Sequence, residues 1–277
     1  MTMSSVSLVV LVAHGSAALR VPFGVRCSAT GDFRTHPQWT GLQAELDQLP
    51  AFTCVNENGE PLGYERDGEP IAIFFGDVDR AQQELDMATG KFPQLNLRLM
   101  GVGLGDVHRR VADGTAMLVP SAEALAGAGD DFPSEKLPLY TCLRMSTRHA
   151  DGSQRTPLFM DPKDAQASLD RALEAAVKGV PGGILTEQQK AELSLVCTSL
   201  DQAIDLVLSG NEKEACEAGR FSFVAPNQSL KYLQGKQGGK KEQAPEQRAA
   251  AAAAITGKPA AATKSAAVDA SNLIFPS

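Results

Sequence analysis

Apolar and polar positions along the chain alternate between two periods. Ala51 to Val55 and Ile71 to Phe75 are short apolar, β-branched runs, with turn signals at Asn58-Gly59 and Asp67-Gly68, the pattern of strands. From Asp77 the period lengthens. Ala81, Leu85 and Ala88 fall at i, i+4 and i+7, which predicts a helix capped by Asp77, running to about Thr89, with one small apolar stripe against a sheet. Leu95, Leu97 and Leu99 return to alternation and predict a strand over Leu95 to Val102. A helix follows and ends at Gly114. Met117 to Val119 read as a strand, and Pro120 opens a last short helix with Ser121 as cap.

The same order is written a second time. LPAFTC (Leu49 to Cys54) returns as LPLYTC (Leu137 to Cys142). FFGDVDRAQQELDMA (Phe74 to Ala88) returns as LFMDPKDAQASLDRA (Leu158 to Ala172), so that Phe75, Asp77, Ala81, Gln82, Leu85, Asp86 and Ala88 meet Phe159, Asp161, Ala165, Gln166, Leu169, Asp170 and Ala172 at an offset of 84. Leu95 to Gly114 aligns with Ala191 to Gly210, and Met117 to Leu125 with Phe223 to Leu230. In the second copy Asp161 is an N-cap followed by Pro162 at the first helical position, and Ser199-Leu200-Asp201-Gln202 has capping-box spacing. Four blocks in one order predict an internal duplication. Each copy reads β-β-α-β-α-β-α. The fold class expected is α+β or α/β, the two units forming one pseudo-two-fold mixed sheet with flanking helices and one continuous core.

Composition and charge then divide the chain. Residues 1–31 carry Arg20 and Arg26 and no acid, residues 236–267 carry six bases and two acids, and residues 268–277 carry only Asp269. Setting these (+2, +4 and −1) aside from the total of −7 leaves −12 on residues 32–235. So acidic a body argues against a nucleic-acid surface and suits attraction of basic segments. Residues 1–31 read as a targeting leader, residues 32–130 as repeat unit one, 131–235 as repeat unit two and 236–277 as a disordered tail rich in Lys, Ala, Gly and Pro. Within the leader, Val6 to Ala13 suits a signal-peptide core too short to span a bilayer. The acid-free Leu19 to Gly31 suits a plastid transit peptide. A signal-like piece followed by a transit-like piece resembles the bipartite leader of algae with secondary plastids; an ordinary secretory signal is the alternative. The tail cannot bury enough apolar area to offset its ordering entropy, and the closing NLIFPS is either a docking motif or an ordinary chain end.

Candidate chemistry is sparse. Cys27, Cys54, Cys142, Cys197 and Cys216 contain no C-x-x-C pair, so neither a zinc site nor a thioredoxin-like motif is indicated. They read as buried thiols, with a Cys54–Cys142 disulfide as the alternative. His14, His36, His108 and His149 are widely spaced, and neither H-E-x-x-H nor G-x-S-x-G occurs. Gly101, Gly103 and Gly105 lack the dinucleotide fingerprint spacing and read as a strand-to-helix turn. The carboxylates Asp77, Asp79, Asp161 and Asp164 are explained as helix caps and first-turn acids. No enzyme, cofactor or metal is expected.

The duplicated block order resembles the family of the twenty-two-kilodalton subunit of the translocon at the inner chloroplast envelope. The resemblance covers about residues 49–235. It rests on the Leu-Pro strand openings (Leu49-Pro50, Leu137-Pro138) and the Phe–x–Asp–x3–Ala–Gln helix starts. A strand running into Leu104 and Val107 or Leu200 and Ala203, and strands ending at Pro120 and Pro226, complete it. An insertion around Lys178 to Glu187 and the basic tail are additions to that pattern. The resemblance implies a soluble plastid protein, peripheral to the membrane, that chaperones preproteins during envelope passage. Its implied partners are preproteins or transit peptides and other translocon subunits. A structural or assembly subunit of a plastid, photosynthetic complex is the other function expected. The candidate client groove consists of bulky apolar residues at equivalent strand ends, Phe52 with Tyr140 and Met117 or Leu118 with Phe223, unless these belong to the core.

Overall fold

A computed structural model describes residues 8–10, 33–66, 69–179, 193–216, 218–238 and 268–269. The insertion beyond residue 179 and the NLIFPS end lie outside the described residues. The chain runs β1 (Leu8–Val10), α1 (Trp39–Leu46), β2 (Pro50–Val55), β3 (Gly63–Arg66), β4 (Glu69–Phe75), α2 (Val78–Lys91), β5 (Arg98–Gly103), α3 (Leu104–Ala112), β6 (Ala116–Val119) and α4 (Ala122–Ala128). It continues β7 (Pro138–Thr141), β8 (Met145–Arg148), β9 (Gln154–Phe159), α5 (Pro162–Gly179), β10 (Val196–Ser199) and α6 (Leu200–Leu208). Last come α7 (Glu212–Ala215), β11 (Phe221–Val224), α8 (Asn227–Gly238) and β12 (Val268–Asp269).

The caps form as their chemistry requires. Asp77 accepts from the Arg80 N–H at 2.9 Å and starts α2. Asp161 accepts from the N–H groups of Lys163 at 2.7 Å and Asp164 at 3.2 Å, with Pro162 at the head of α5. Ser199 and Gln202 close a reciprocal capping box on α6. Gly114 and Gly210 follow α3 and α6 with φ of +72° and +73°, the left-handed conformation that ends a helix at least cost for glycine.

Two mixed sheets form, not one. The first has the order β12-β3-β4-β2-β5 with β6 parallel beside β4; the second has β1-β8-β9-β7-β10 with β11 parallel beside β9. Each repeat fills its own hydrogen-bond ladder, so one continuous sheet does not arise, and each sheet carries an apolar cluster on one face. Each repeat also holds a strand beyond the expected set, β3 or β8, hairpinned on β4 or β9. The strand expected over Leu95 to Val102 runs instead from Arg98 to Gly103; Pro93–Leu95 forms a 3-10 turn ending in the left-handed Asn96.

The described residues gather into two compact units that cut across the sequence segments 32–130 and 131–235. One joins Met1–Leu46 to Ala122–Pro226, the other Asp47–Ser121 to Asn227–Ser277. α4 thus packs with the β7–β11 sheet, and α8 packs with the β2–β6 sheet. α8 also runs to Gly238, past the expected tail boundary at Lys236. No helix of the described residues is long and apolar enough to cross a membrane.

Candidate functional site

In the β2–β6 unit, one sheet face gathers Phe52, Cys54, Ile71, Ile73, Phe75 and Leu99 with Tyr64. The α2 stripe covers part of it, with Ala81 and Ala88 buried and Leu85 partly so. The rest is covered by Tyr232 and Leu233 of α8. Phe52 is fully buried and meets the Tyr232 ring edge to face, with centroids 5.8 Å apart and planes at 83°. Gly101 lies opposite Phe52 on β5. A Cβ there would stand 3.3 Å from Leu233 Cδ2 and 3.7 Å from the Phe52 ring, so the missing side chain forms the slot in which Leu233 rests.

In the β7–β11 unit the equivalent face gathers Tyr140, Cys142, Phe159, Ala165, Leu169 and Ala172 with Ala124 of α4. Tyr140 is buried and its hydroxyl donates to the Ala124 carbonyl. A Cβ on Gly127 would lie 3.0 Å from the Tyr140 oxygen and 3.3 Å from Pro162 Cβ, so glycine permits the close approach of α4. Lys163 of α5 pairs with Glu123 of α4 at 2.7 Å on the exposed side.

Three of the four groove candidates, Phe52, Tyr140 and Leu118, are buried, and the fourth, Phe223, is half-buried. Phe52 and Tyr140 are core residues, each closed over by a terminal helix. Leu118 is buried too, and it alternates to the opposite face of its sheet, beside Phe74, while Met117 and Val119 join the Phe52 cluster. Phe223 is half-buried beside Leu158, whereas Val224 joins the Tyr140 cluster. Strand parity therefore separates Leu118 and Phe223 from Phe52 and Tyr140. The residues that complete the faces, Tyr232, Leu233 and Ala124, carry no distinct sequence signal, because α4 and α8 lack a strong apolar stripe. Gly101 carried a legible signal, a glycine inside a strand pattern.

The polar groups near these faces are structural in their geometry. The Tyr64 hydroxyl donates to Glu84 Oε1 at 2.5 Å, and burial first, then this bond, pushes the Tyr64 phenol up. Burial pushes the Cys54 thiol up to about 12 and the Cys197 thiol up to about 11, away from the thiolate form that reacts or ligates. Cys54, Cys142, Cys197 and Cys216 are free thiols, so Cys54 and Cys142 are not bridged. Gly103 ends β5 and caps α3, completing the strand-to-helix turn expected of the glycine run. Gln82 donates to Asp86 at 2.9 Å and Gln166 to Asp170 at 2.8 Å, one exposed helix pair in each repeat. Among the described residues no group of three or more His, Cys, Asp or Glu side chains converges as metal ligands would.

No family model and no curated protein matches the chain in sequence. Solved structures do match. Tic22 from Plasmodium falciparum superposes with a TM-score of 0.55 at 17% identity, over 72% of this chain and 99% of that one. Anabaena Tic22, described as a protein-transport protein, superposes with a TM-score of 0.51 at 14% identity, over 75% of this chain and 99% of that one. Nearly the whole of each is spanned by this chain, whose mixed α+β architecture is that of the Tic22 fold family.

Proposed function

We propose that the protein is a non-enzymatic binding protein of preprotein transport in a plastid, peripheral to the envelope, that holds transit-peptide-like segments of preproteins. The observation that carries this reading is the fold shared with Tic22 proteins, one of them described as a protein-transport protein. A second support is electrostatic. Residues 32–235 carry net −12, which attracts basic, acid-poor segments over a Debye length of about 8 Å at physiological salt. Residues 1–31 serve as the plastid-targeting leader in this reading. The two halves are copies of one ancestral unit; supporting this, β3-β4-β2-β5 with β6 beside β4 has the same chain order as β8-β9-β7-β10 with β11 beside β9.

The test is cross-linking in isolated plastids during import of several unrelated precursors. Contact with each precursor in transit, weakened by salt, is expected. Stoichiometric recovery with one membrane complex and no precursor contact would replace this reading with that of an assembly subunit.

A further inference from the structure

We propose that α8 is a resident occupant of the apolar face around Phe52, and that a basic, acid-poor amphipathic segment of another polypeptide binds the β2–β6 unit by replacing it. The inference rests on the binding function proposed above and names the surface that performs it.

The hold of α8 on this face is slight. Of its side chains from Asn227 to Gly235 only Ser229 is buried, Tyr232 and Leu233 are half-buried, and Asn227, Gln228, Leu230, Lys231, Gln234 and Gly235 are exposed. Gly235 and Gly238 lower the helix propensity of the segment further. An element with so little apolar burial opens at low free-energy cost relative to the sheet beneath it. Its counterpart α4 carries a buried alanine, Ala124, a backbone carbonyl that accepts from the Tyr140 hydroxyl, and the Glu123–Lys163 pair.

Departure of α8 would uncover the Phe52 ring and the slot above Gly101, a site shaped for an aromatic and a branched aliphatic side chain at adjacent positions. Charge selects the occupant. Residues 47–121 of the unit carry twelve acids and six bases, whereas residues 227–277, α8 and the chain after it, carry seven bases and three acids. The resident segment thus has the charge of the client it would yield to, and Glu84 stands at the edge of the face through its bond with Tyr64.

The experiment uses the full chain and a labelled synthetic peptide of about twenty residues, rich in Ser, Lys and Arg, without acids and with one Tyr-Leu pair, followed by fluorescence anisotropy at low salt. Replacing Tyr232→Ser together with Leu233→Ser should tighten binding about tenfold if α8 covers the face nine-tenths of the time. Gly235→Ala, where an added Cβ meets nothing within 4 Å, should strengthen α8 and weaken binding by up to about fivefold. Peptide binding to the unaltered chain should speed hydrogen exchange of the α8 amides. If the double variant unfolds, Gly235→Ala alone decides. Equal affinity of all forms overturns the role of α8 while leaving the binding function standing. Absence of binding by every form overturns both.

Discussion

The Tyr232 ring of α8 stands edge-on to the Phe52 ring of β2, centroids 5.8 Å apart, above a glycine that leaves room for Leu233. A helix from the end of the second repeat therefore completes the core of the sheet built by the first. Tyr140 and Ala124 make the reciprocal connection in the other unit. Both aromatic residues sit where a groove was expected, and both are consumed by the chain's own helices.

Truncation of Phe52 is expected to behave as a core deletion. Phe52→Ala should cost about 3–5 kcal/mol, the usual range for a fully buried phenylalanine. Phe223→Ala, half-buried on the other face of its sheet, should cost clearly less. Urea unfolding of the two variants checks this, and equal losses would contradict the difference in burial between the two positions.

The two equivalent caps should contribute alike. Asp77→Ala and Asp161→Ala should each lower stability by about 0.5–2 kcal/mol, since each removes a carboxylate that accepts from first-turn N–H groups of α2 or α5. Binding of a basic peptide at saturating concentration should survive both changes. A stable Asp161→Ala variant that lost binding would show that this carboxylate touches the client.

What could be read in advance was local. The Asp77, Asp161 and Ser199 caps reach N–H groups two or three residues away, and the Ala81–Leu85–Ala88 stripe needs only a helix and a neighbouring sheet. Strands β3 and β8 could not be read, because GYER and MSTR lack a clear apolar alternation and extend through pairing with β4 and β9. The destinations of α4 and α8 were equally hidden. AEALAGA and NQSLKYLQG announce helices, but which sheet covers them is decided by tertiary packing against Tyr140 and Phe52. The same packing buries Phe52, Tyr140 and Leu118, and parity places Leu118 and Phe223 on one side of their strands and Phe52 and Tyr140 on the other.

Glycine positions in the β2–β6 unit should respond in opposite directions. A Cβ on Gly103 would lie 2.5 Å from Asp47 Oδ1 and 2.8 Å from Asp47 Cα, and the Asp47 carboxylate is held in place by the Asp106 N–H at 2.9 Å. Gly103→Ala must therefore push backbone aside and should destabilise by roughly 1–3 kcal/mol. Gly90, exposed near the end of α2 with nothing within 4 Å of an added Cβ, should gain about 0.4–1 kcal/mol on replacement by Ala. Thermal unfolding of both variants tests the pair, and a stabilising Gly103→Ala would refute the close approach of Asp47.

Alkaline pH should loosen the fold through its buried thiols. Burial first, and the Glu84 carboxylate second, push Cys54 from an ordinary value of 9.0 up to about 12. Burial likewise lifts Cys197 to about 11, and the phenols of Tyr64 and Tyr140 are raised for the same first reason. A group with a folded pKa above its unfolded one keeps its proton longer in the native state. Its contribution is whole below the unfolded value and is lost as pH climbs through the folded one. For Cys54 that window runs from 9.0 to about 12. The urea midpoint should thus fall steadily above pH ~9 at a constant m-value, and Cys54→Ala should begin lower but fall less steeply. At pH ~8 an aromatic disulfide reagent should label native Cys54 no faster than the chain unfolds, since the thiolate attacks and burial withholds it. The Cys54 thiol lies against the Ala81 carbonyl of α2, so rapid labelling of Cys54 in the folded protein would show that α2 does not shield it.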